Sequence, residues 1–218
     1  MIPTPDLSHL TYKDYDHVYE PAEDTFILLD ALEQDADELK ELKPTICLEI
    51  GSGSGCVSTF ITQILDTRTV YLCTDINPYA AQCTFRTGKQ NNKILDPIRA
   101  YLALPLMNRL KYQVDVLLFN PPYVPTITDE LEAAQAGKSI EGAWAGGTDG
   151  MELTNKFLQC VEHLLSPKGR FYLVALKANR IDSIRQRMKD GYGLESKISL
   201  ERRAGREYLY ILCFYRPT

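Results

Sequence analysis

Thr45-Ile-Cys-Leu-Glu-Ile50, Gly51-Ser-Gly53-Ser-Gly55 and Cys56-Val-Ser-Thr-Phe-Ile-Thr-Gln-Ile-Leu65 follow one another without interruption, and their order decides the fold. A short apolar run, a turn with glycine at every second position and a helix-like segment read as strand, tight turn, helix. The pattern repeats downstream. A second strand, Thr69 to Thr74, ends in Asp75, and Asn77-Pro78 starts a helix running to about Asn91. A third strand is expected over Ile98 to Leu102. A fourth, Val114 to Phe119, is apolar except for Asp115, as expected of a strand buried on both faces.

The polar, glycine-containing segment from Asn120 to Gly150 is longer than most connections in compact domains, which suits a binding loop. Beyond it come a helix, Met151 to Leu165, closed by Ser166-Pro167, a strand, Gly169 to Leu176, and a helix, Asn179 to Asp190. Two last strands, Glu195 to Arg202 and Glu207 to Tyr215, flank Ala204-Gly205-Arg206 and read as an antiparallel hairpin. Upstream, Pro21 at a first helical position opens a stretch in which Ala22, Phe26, Leu29 and Leu32 recur at helical spacing. Repeated strand-helix units demand a mostly parallel sheet with helices on both faces. The expectation is an α/β domain of seven strands, spanning 1–218, with an N-terminal arm over 1–20 and a substrate loop over 120–150.

Composition narrows the class. The chain has 218 residues, 44% apolar and 24% charged, with a formal net charge of -5. Those values suit one globular domain and argue against disordered, collagenous or coiled-coil chains. No apolar run is long enough to span a bilayer, and Met1-Ile-Pro-Thr-Pro-Asp6 lacks the basic flank and apolar core of a signal peptide. Cysteines at 47, 56, 73, 83, 160 and 213 form no Cys-x-x-Cys pair, so neither a metal site nor a disulfide framework is expected. A reducing compartment, the cytoplasm or the nucleus, suits them. His9, His17 and His163 supply few parts for a zinc site or a Ser-His-Asp triad, and the first two fall in an arm expected to be mobile. Residues 1–50 hold 13 acidic and 3 basic side chains, and Glu33 to Glu41 reads as a solvated acidic helix. From Ser166 onward Lys and Arg outnumber Asp and Glu by 12 to 5, but never more than two adjacent, a weak signal for nucleic acid.

In open parallel sheets ligands bind beyond the carboxyl ends of the strands, which here collects Gly51 to Gly55, Asp75, Leu102 and Asn120. Glycines let a backbone pass close beneath a ligand. An acidic side chain 20 residues after Gly55 suits two ribose hydroxyls. The third glycine of a dinucleotide fingerprint would fall at Cys56, so a pyrophosphate fits poorly. A glycine at every second position with Glu49 just ahead fits a ligand carrying an ammonium and a sulfonium, S-adenosylmethionine. Asn120-Pro121-Pro122-Tyr123 then ends the buried fourth strand at the same crevice. A planar amide nitrogen is a poor nucleophile, and a general base helps it little. The Asn120 side-chain oxygen and the Pro121 carbonyl can accept its two N–H groups and aim its lone pair. The two prolines hold that carbonyl in place, and Tyr123 can pack on the planar group. Taken alone, Pro-Pro also marks an ordinary rigid turn.

Glu49-Ile-Gly51-Ser-Gly53-Ser-Gly55, Thr74-Asp75-Ile-Asn-Pro78 and Phe119-Asn-Pro-Pro-Tyr-Val124 together resemble the HemK-type glutamine methyltransferases of the Rossmann-like class I S-adenosylmethionine-dependent fold. Tyr19-Glu-Pro-Ala-Glu-Asp-Thr25 and Ala143-Trp-Ala-Gly-Gly147 narrow the likeness to the eukaryotic and archaeal branch, which methylates the glutamine of the Gly-Gly-Gln motif in the class I translation termination factor. The resemblance implies that Thr25, Glu49, Gly51, Gly53, Gly55, Asp75, Tyr101, Leu102 and Asn120 line the cofactor site, and that Asn120 with Pro121 binds the substrate amide. Tyr101 stands where the family usually has an Asp for the adenine amino group, leaving the Leu102 N–H for that contact. The resemblance also implies a small zinc-binding activator subunit, and Ile98 to Leu102, an edge strand with Arg99 its one charge, would receive it. Asn-Pro-Pro-Tyr is shared with adenine-N6 methyltransferases, so DNA or RNA stays an alternative substrate, as does lysine. A silent binding subunit fits least, because Asp75 and Asn120 are intact.

Overall fold

The computed structural model describes residues 1–65, 68–123, 150–205 and 207–217. Seven strands, β1 (Ile46–Ile50), β2 (Val70–Asp75), β3 (Asp96–Arg99), β4 (Val114–Phe119), β5 (Leu165–Leu176), β6 (Glu195–Ala204) and β7 (Glu207–Tyr215), form one sheet in the order β3-β2-β1-β4-β5-β7-β6. The first five pair in parallel, and β7 runs antiparallel between β5 and β6. The order reverses direction between β1 and β4. Connections leaving those strands diverge there and open a crevice at their carboxyl ends.

Helices α1 (Tyr12–Tyr15), α2 (Glu23–Gln34), α3 (Ala36–Glu41), α4 (Cys56–Ile61), α5 (Pro78–Gln90), α6 (Glu152–Leu164) and α7 (Ile181–Tyr192) surround the sheet. Alternation along β4 sorts the core into two layers. Val116 and Leu118 pack with Leu28, Leu32 and Phe60 on one face, while Leu117 and Phe119 pack with Phe157, Val161 and Met188 on the other. Phe119, Phe157, Phe171 and Phe214 touch in series, with ring centroids 5.0, 5.9 and 5.7 Å apart. Each buried ring contributes roughly 1.5–3 kcal/mol, so the strand end just before Asn120 is held firmly.

Several expected boundaries shift. β3 stops at Arg99, and its register runs from Leu72 opposite Asp96 to Asp75 opposite Arg99. Tyr101 and Leu102 therefore lie in the following turn, where Leu102 takes a φ of +51°. The edge strand thus carries Asp96, Pro97 and Arg99, and is better guarded than Ile98 to Leu102 suggested. Pro21 precedes the helix: Ala22 caps α2, which begins at Glu23, and Phe26 faces outward. α6 ends at Leu164 and the next strand starts at once, because Leu165 already pairs with Val114.

The acidic stretch from Glu33 is not wholly solvated. Asp35, between α2 and α3, is buried and accepts from Tyr172 Oη (2.8 Å), Ser199 Oγ (3.0 Å) and Lys197 Nζ (3.0 Å). Nor does the N-terminal arm hang free. It lies along α5, with Leu10 and Val18 buried against Ala80 and Cys83. Asp6 and Asn91 exchange backbone and side-chain bonds, and Arg86 forks onto Asp14. Apolar contact and a charge-assisted pair offset the entropy of ordering the arm.

Candidate functional site

The register aligns three chain ends. Ile50 pairs with Thr74 of β2 on one side and with Phe119 of β4 on the other, so the residues that follow the three, Asp75, Gly51 and Asn120, stand in a row along one end of the sheet. Gly51, Gly53 and Gly55 all have positive φ, at +69°, +52° and +79°. The Gly51 N–H donates to the Thr74 carbonyl at 2.7 Å, folding the turn across the end of β2. A Cβ on Gly55 would stand 2.7 Å from the Thr84 Cα, so glycine is required there for space as well as for φ.

Asp75 closes β2 with its oxygens facing backbone donors, Gly53 N at 3.0 Å and Asn77 N at 2.9 Å. Burial raises its pKa above the ordinary carboxylate value and those N–H groups oppose the shift. Each oxygen keeps a second lone pair for a hydroxyl. Glu49, buried in β1, is pushed up to about 8 by desolvation, against the opposing hydrogen bond from the Ser58 hydroxyl. Cys73 Sγ donates in turn to Ser58 Oγ at 3.1 Å. Tyr101 is half-buried, and Leu102 is buried in its left-handed turn.

The second half of the site joins the start of α2 to the end of β4. Asp24 is only 4% exposed and receives five hydrogen bonds, one of them from the Thr25 hydroxyl to Oδ1 at 3.4 Å. Tyr19 Oη (3.1 Å) and the Thr25 N–H (2.7 Å) donate to its Oδ1, and Asn120 Nδ2 (3.0 Å) and Tyr123 Oη (3.1 Å) to its Oδ2. The other end of the Asn120 side chain, Oδ1, is buried with no partner. A buried acceptor left unpaired costs about 1–3 kcal/mol, so an orphan at the mouth of a ligand crevice marks a place kept for a donor. Thr25 is buried beside Asp24, Pro121 is buried, and Pro122 and Tyr123 are half-buried.

Of the expected residues, Glu49, Gly51, Gly53, Gly55 and Asp75 form one cluster, and Thr25, Asn120 and Tyr123 meet at Asp24. Asp24 itself is the functional candidate that the sequence reading missed. Its signal was present, an acid inside the selective Tyr19 to Thr25 segment. The remainder of the 120–150 loop, with Ala143-Trp-Ala-Gly-Gly147, lies outside the described residues. Among those described, no cluster of His, Cys, Asp or Glu suits a metal ion, all six cysteines are free, and no helix is long and apolar enough to cross a membrane.

No protein-family model matches the chain. It is 46% identical to methyltransferase HEMK2 of Mus musculus over 98% of its length and 96% of that protein's. It is 42% identical to eRF1 methyltransferase catalytic subunit mtq2 of Schizosaccharomyces pombe, over 99% and 96%. The chain belongs to the HemK-type methyltransferases. Among solved structures, the E. cuniculi Mtq2-Trm112 complex, responsible for methylation of the eRF1 translation termination factor, superposes with a TM-score of 0.64. That match has 28% identity and covers 92% of this chain and 99% of that one. The HemK-type assignment carries the class I fold and S-adenosylmethionine as cofactor. The observed glycine turn, the two carboxylates and the orphaned amide oxygen fit such a ligand: the turn leaves nothing within 4 Å of the Gly51 Cβ position, and half-buried Asp75 and buried Glu49 complement hydroxyls and a cation.

Proposed function

We propose that this chain methylates the side-chain amide nitrogen of the glutamine in the Gly-Gly-Gln motif of the class I translation termination factor. The observation that carries the reading is the Asn120 amide, pinned at Nδ2 and open at Oδ1. Bound S-adenosylmethionine supplies an electrophilic methyl group on a sulfonium. The chain's own residues do the rest. Gly51 to Gly55 allow close approach of the backbone, Asp75 takes the ribose hydroxyls and Glu49 complements the ammonium. Thr25 and the turn at Tyr101 and Leu102 complete the wall, with the Leu102 N–H in place of the carboxylate that Tyr101 replaces. Asn120 Oδ1 and the Pro121 carbonyl accept the two N–H groups of the substrate amide, turning the nitrogen lone pair toward the crevice. That work is positioning rather than proton abstraction.

The same reading gives the chain a small zinc-binding activator as partner. An open hollow lined by Ala81, Gln82, Phe85, Arg86 and Pro97 joins α5 to the edge strand β3, and Phe85 is 57% and Ile94 84% exposed beside it. Exposed apolar surface beside the short, guarded edge strand suits a partner that covers the patch rather than one that extends the sheet. The free cysteines support a cytoplasmic site of action. The deciding experiment presents labelled cofactor with purified termination factor, its Gln-to-Ala variant and DNA, with and without the activator. Label on the intact factor alone supports the proposal. Label on DNA, or on the variant, defeats it.

A further inference from the structure

We infer that Asp24 is the positioning residue that decides which end of the Asn120 amide faces the substrate. The inference rests on the proposed reaction and adds the element that makes Asn120 directional. An asparagine amide is nearly symmetric in shape, with a donor end and an acceptor end, and only its partners distinguish the two orientations. An ionised carboxylate accepts and never donates. With Asp24 Oδ2 3.0 Å from Asn120 Nδ2, a half-turn of the amide would set oxygen against oxygen in a buried site, so the donor end is locked inward. Oδ1 is then the atom left for the crevice, and it is the atom found without a partner.

The surroundings of Asp24 are built to keep it an acceptor. Tyr19 Oη, the Thr25 N–H and Tyr123 Oη all donate to it, satisfying a carboxylate that is otherwise sealed from water. Burial, with the negative charge of Asp24 beside them, raises the pKa of both tyrosines, so the two hydroxyls keep the protons they donate. The arrangement also links the arm to the chemistry: Tyr19 precedes α2, Asp24 lies in its first turn, and Asn120 and Tyr123 follow β4.

The test uses the full chain with its partner subunit present. Asp24→Asn is almost isosteric but offers a donor as well as an acceptor, so Asn120 can settle in either orientation. Single-turnover methylation of the termination factor should fall by about thirtyfold or more, while cofactor affinity by calorimetry stays within about threefold, the split expected when only alignment is lost. The reciprocal pair, Asp24→Asn with Asn120→Asp, lets the amide introduced at 24 donate to one oxygen of the carboxylate introduced at 120. The other oxygen is then free for the substrate, and the double variant should be about tenfold faster than either single variant. A purely structural Asp24 would give no such rescue. In the cofactor-free protein, the side-chain NH2 resonances of Asn120 should report one slowly exchanging state in wild type and two in Asp24→Asn. Wild-type speed in Asp24→Asn, equal loss of rate and cofactor affinity, or a double variant no faster than the singles overturns the inference. Wild type that leaves the Gly-Gly-Gln peptide unmodified instead defeats the proposed function, while the resonance test of Asp24 still reads out.

Discussion

Asp75 ends β2 and Glu49 stands one residue before the end of the adjacent β1, and their surroundings give them different behaviour. Asp75 is tied to the glycine turn through Gly53 N, and Asp75→Ala removes the proposed acceptor for two ribose hydroxyls. S-adenosylmethionine affinity, read by calorimetry, should fall by about 2 to 4 kcal/mol with the circular dichroism unchanged. Unaltered affinity would sink the assignment. Glu49 is held protonated by burial up to about pH 8, above the ordinary carboxylate range. The folded chain therefore binds more protons than the unfolded one between about pH 4.5 and pH 8, and its stability falls as pH rises through that window, by up to about 1 kcal/mol per unit. Glu49→Gln should flatten this slope in urea unfolding at pH 5.5 and pH 8. Because the ammonium of the cofactor favours the ionised form, the wild-type affinity should rise with pH over the same interval, and a flat profile would count against Glu49 as its partner. At this scale the sequence was legible where spacing carries chemistry, in glycines at alternate positions and an acid 20 residues on. Asp24 was hidden because its role depends on two tyrosines and an asparagine brought together from both sides of the sheet.

The strands could be read from apolar runs, and β1, β2 and β4 begin or end within a residue of expectation. β3 could not, because Asp96-Pro97 looks like a turn and its strand character comes only from pairing with Leu72 to Asp75. Edge strands are under the weakest local constraint, which is why pattern fails there first. The junction of α2 and α3 shows the same limit in charge. Nothing local marks Asp35 as buried, yet it ties α2 to β5 and β6 through Tyr172, Ser199 and Lys197. Asp35→Ala leaves the nearly inaccessible Tyr172 hydroxyl without its acceptor, and should cost about 2 to 4 kcal/mol in denaturant unfolding. Asp35→Asn, which keeps an acceptor, should cost less. Equal stability of wild type and Asp35→Ala would show that the contact holds nothing.

For the molecule as a whole, the exposed Phe85 and Ile94 beside the β3 edge predict poor behaviour alone. The isolated chain should aggregate or turn over slowly, and co-expression with the small activator subunit proposed above should restore soluble, active protein. Phe85→Glu should weaken copurification of the pair by about tenfold or more, as the loss of a central apolar anchor does. An isolated chain that is soluble and fully active would remove the need for a partner on this face.

The placing of β7 between β5 and β6 has a consequence for the newborn protein. A ribosome makes the strands in numerical order, so β5 emerges with β4 on one side and no neighbour on the other. β6 cannot fill that place, since its pairing is with β7. Until β7 arrives, a row of unsatisfied amides from Arg170 to Leu176 waits beside some of the most deeply buried side chains of the sheet. At synthesis rates of about 5–20 residues per second, that wait lasts several seconds, long enough for chaperones to bind the incomplete sheet or for a neighbouring nascent chain to pair with it.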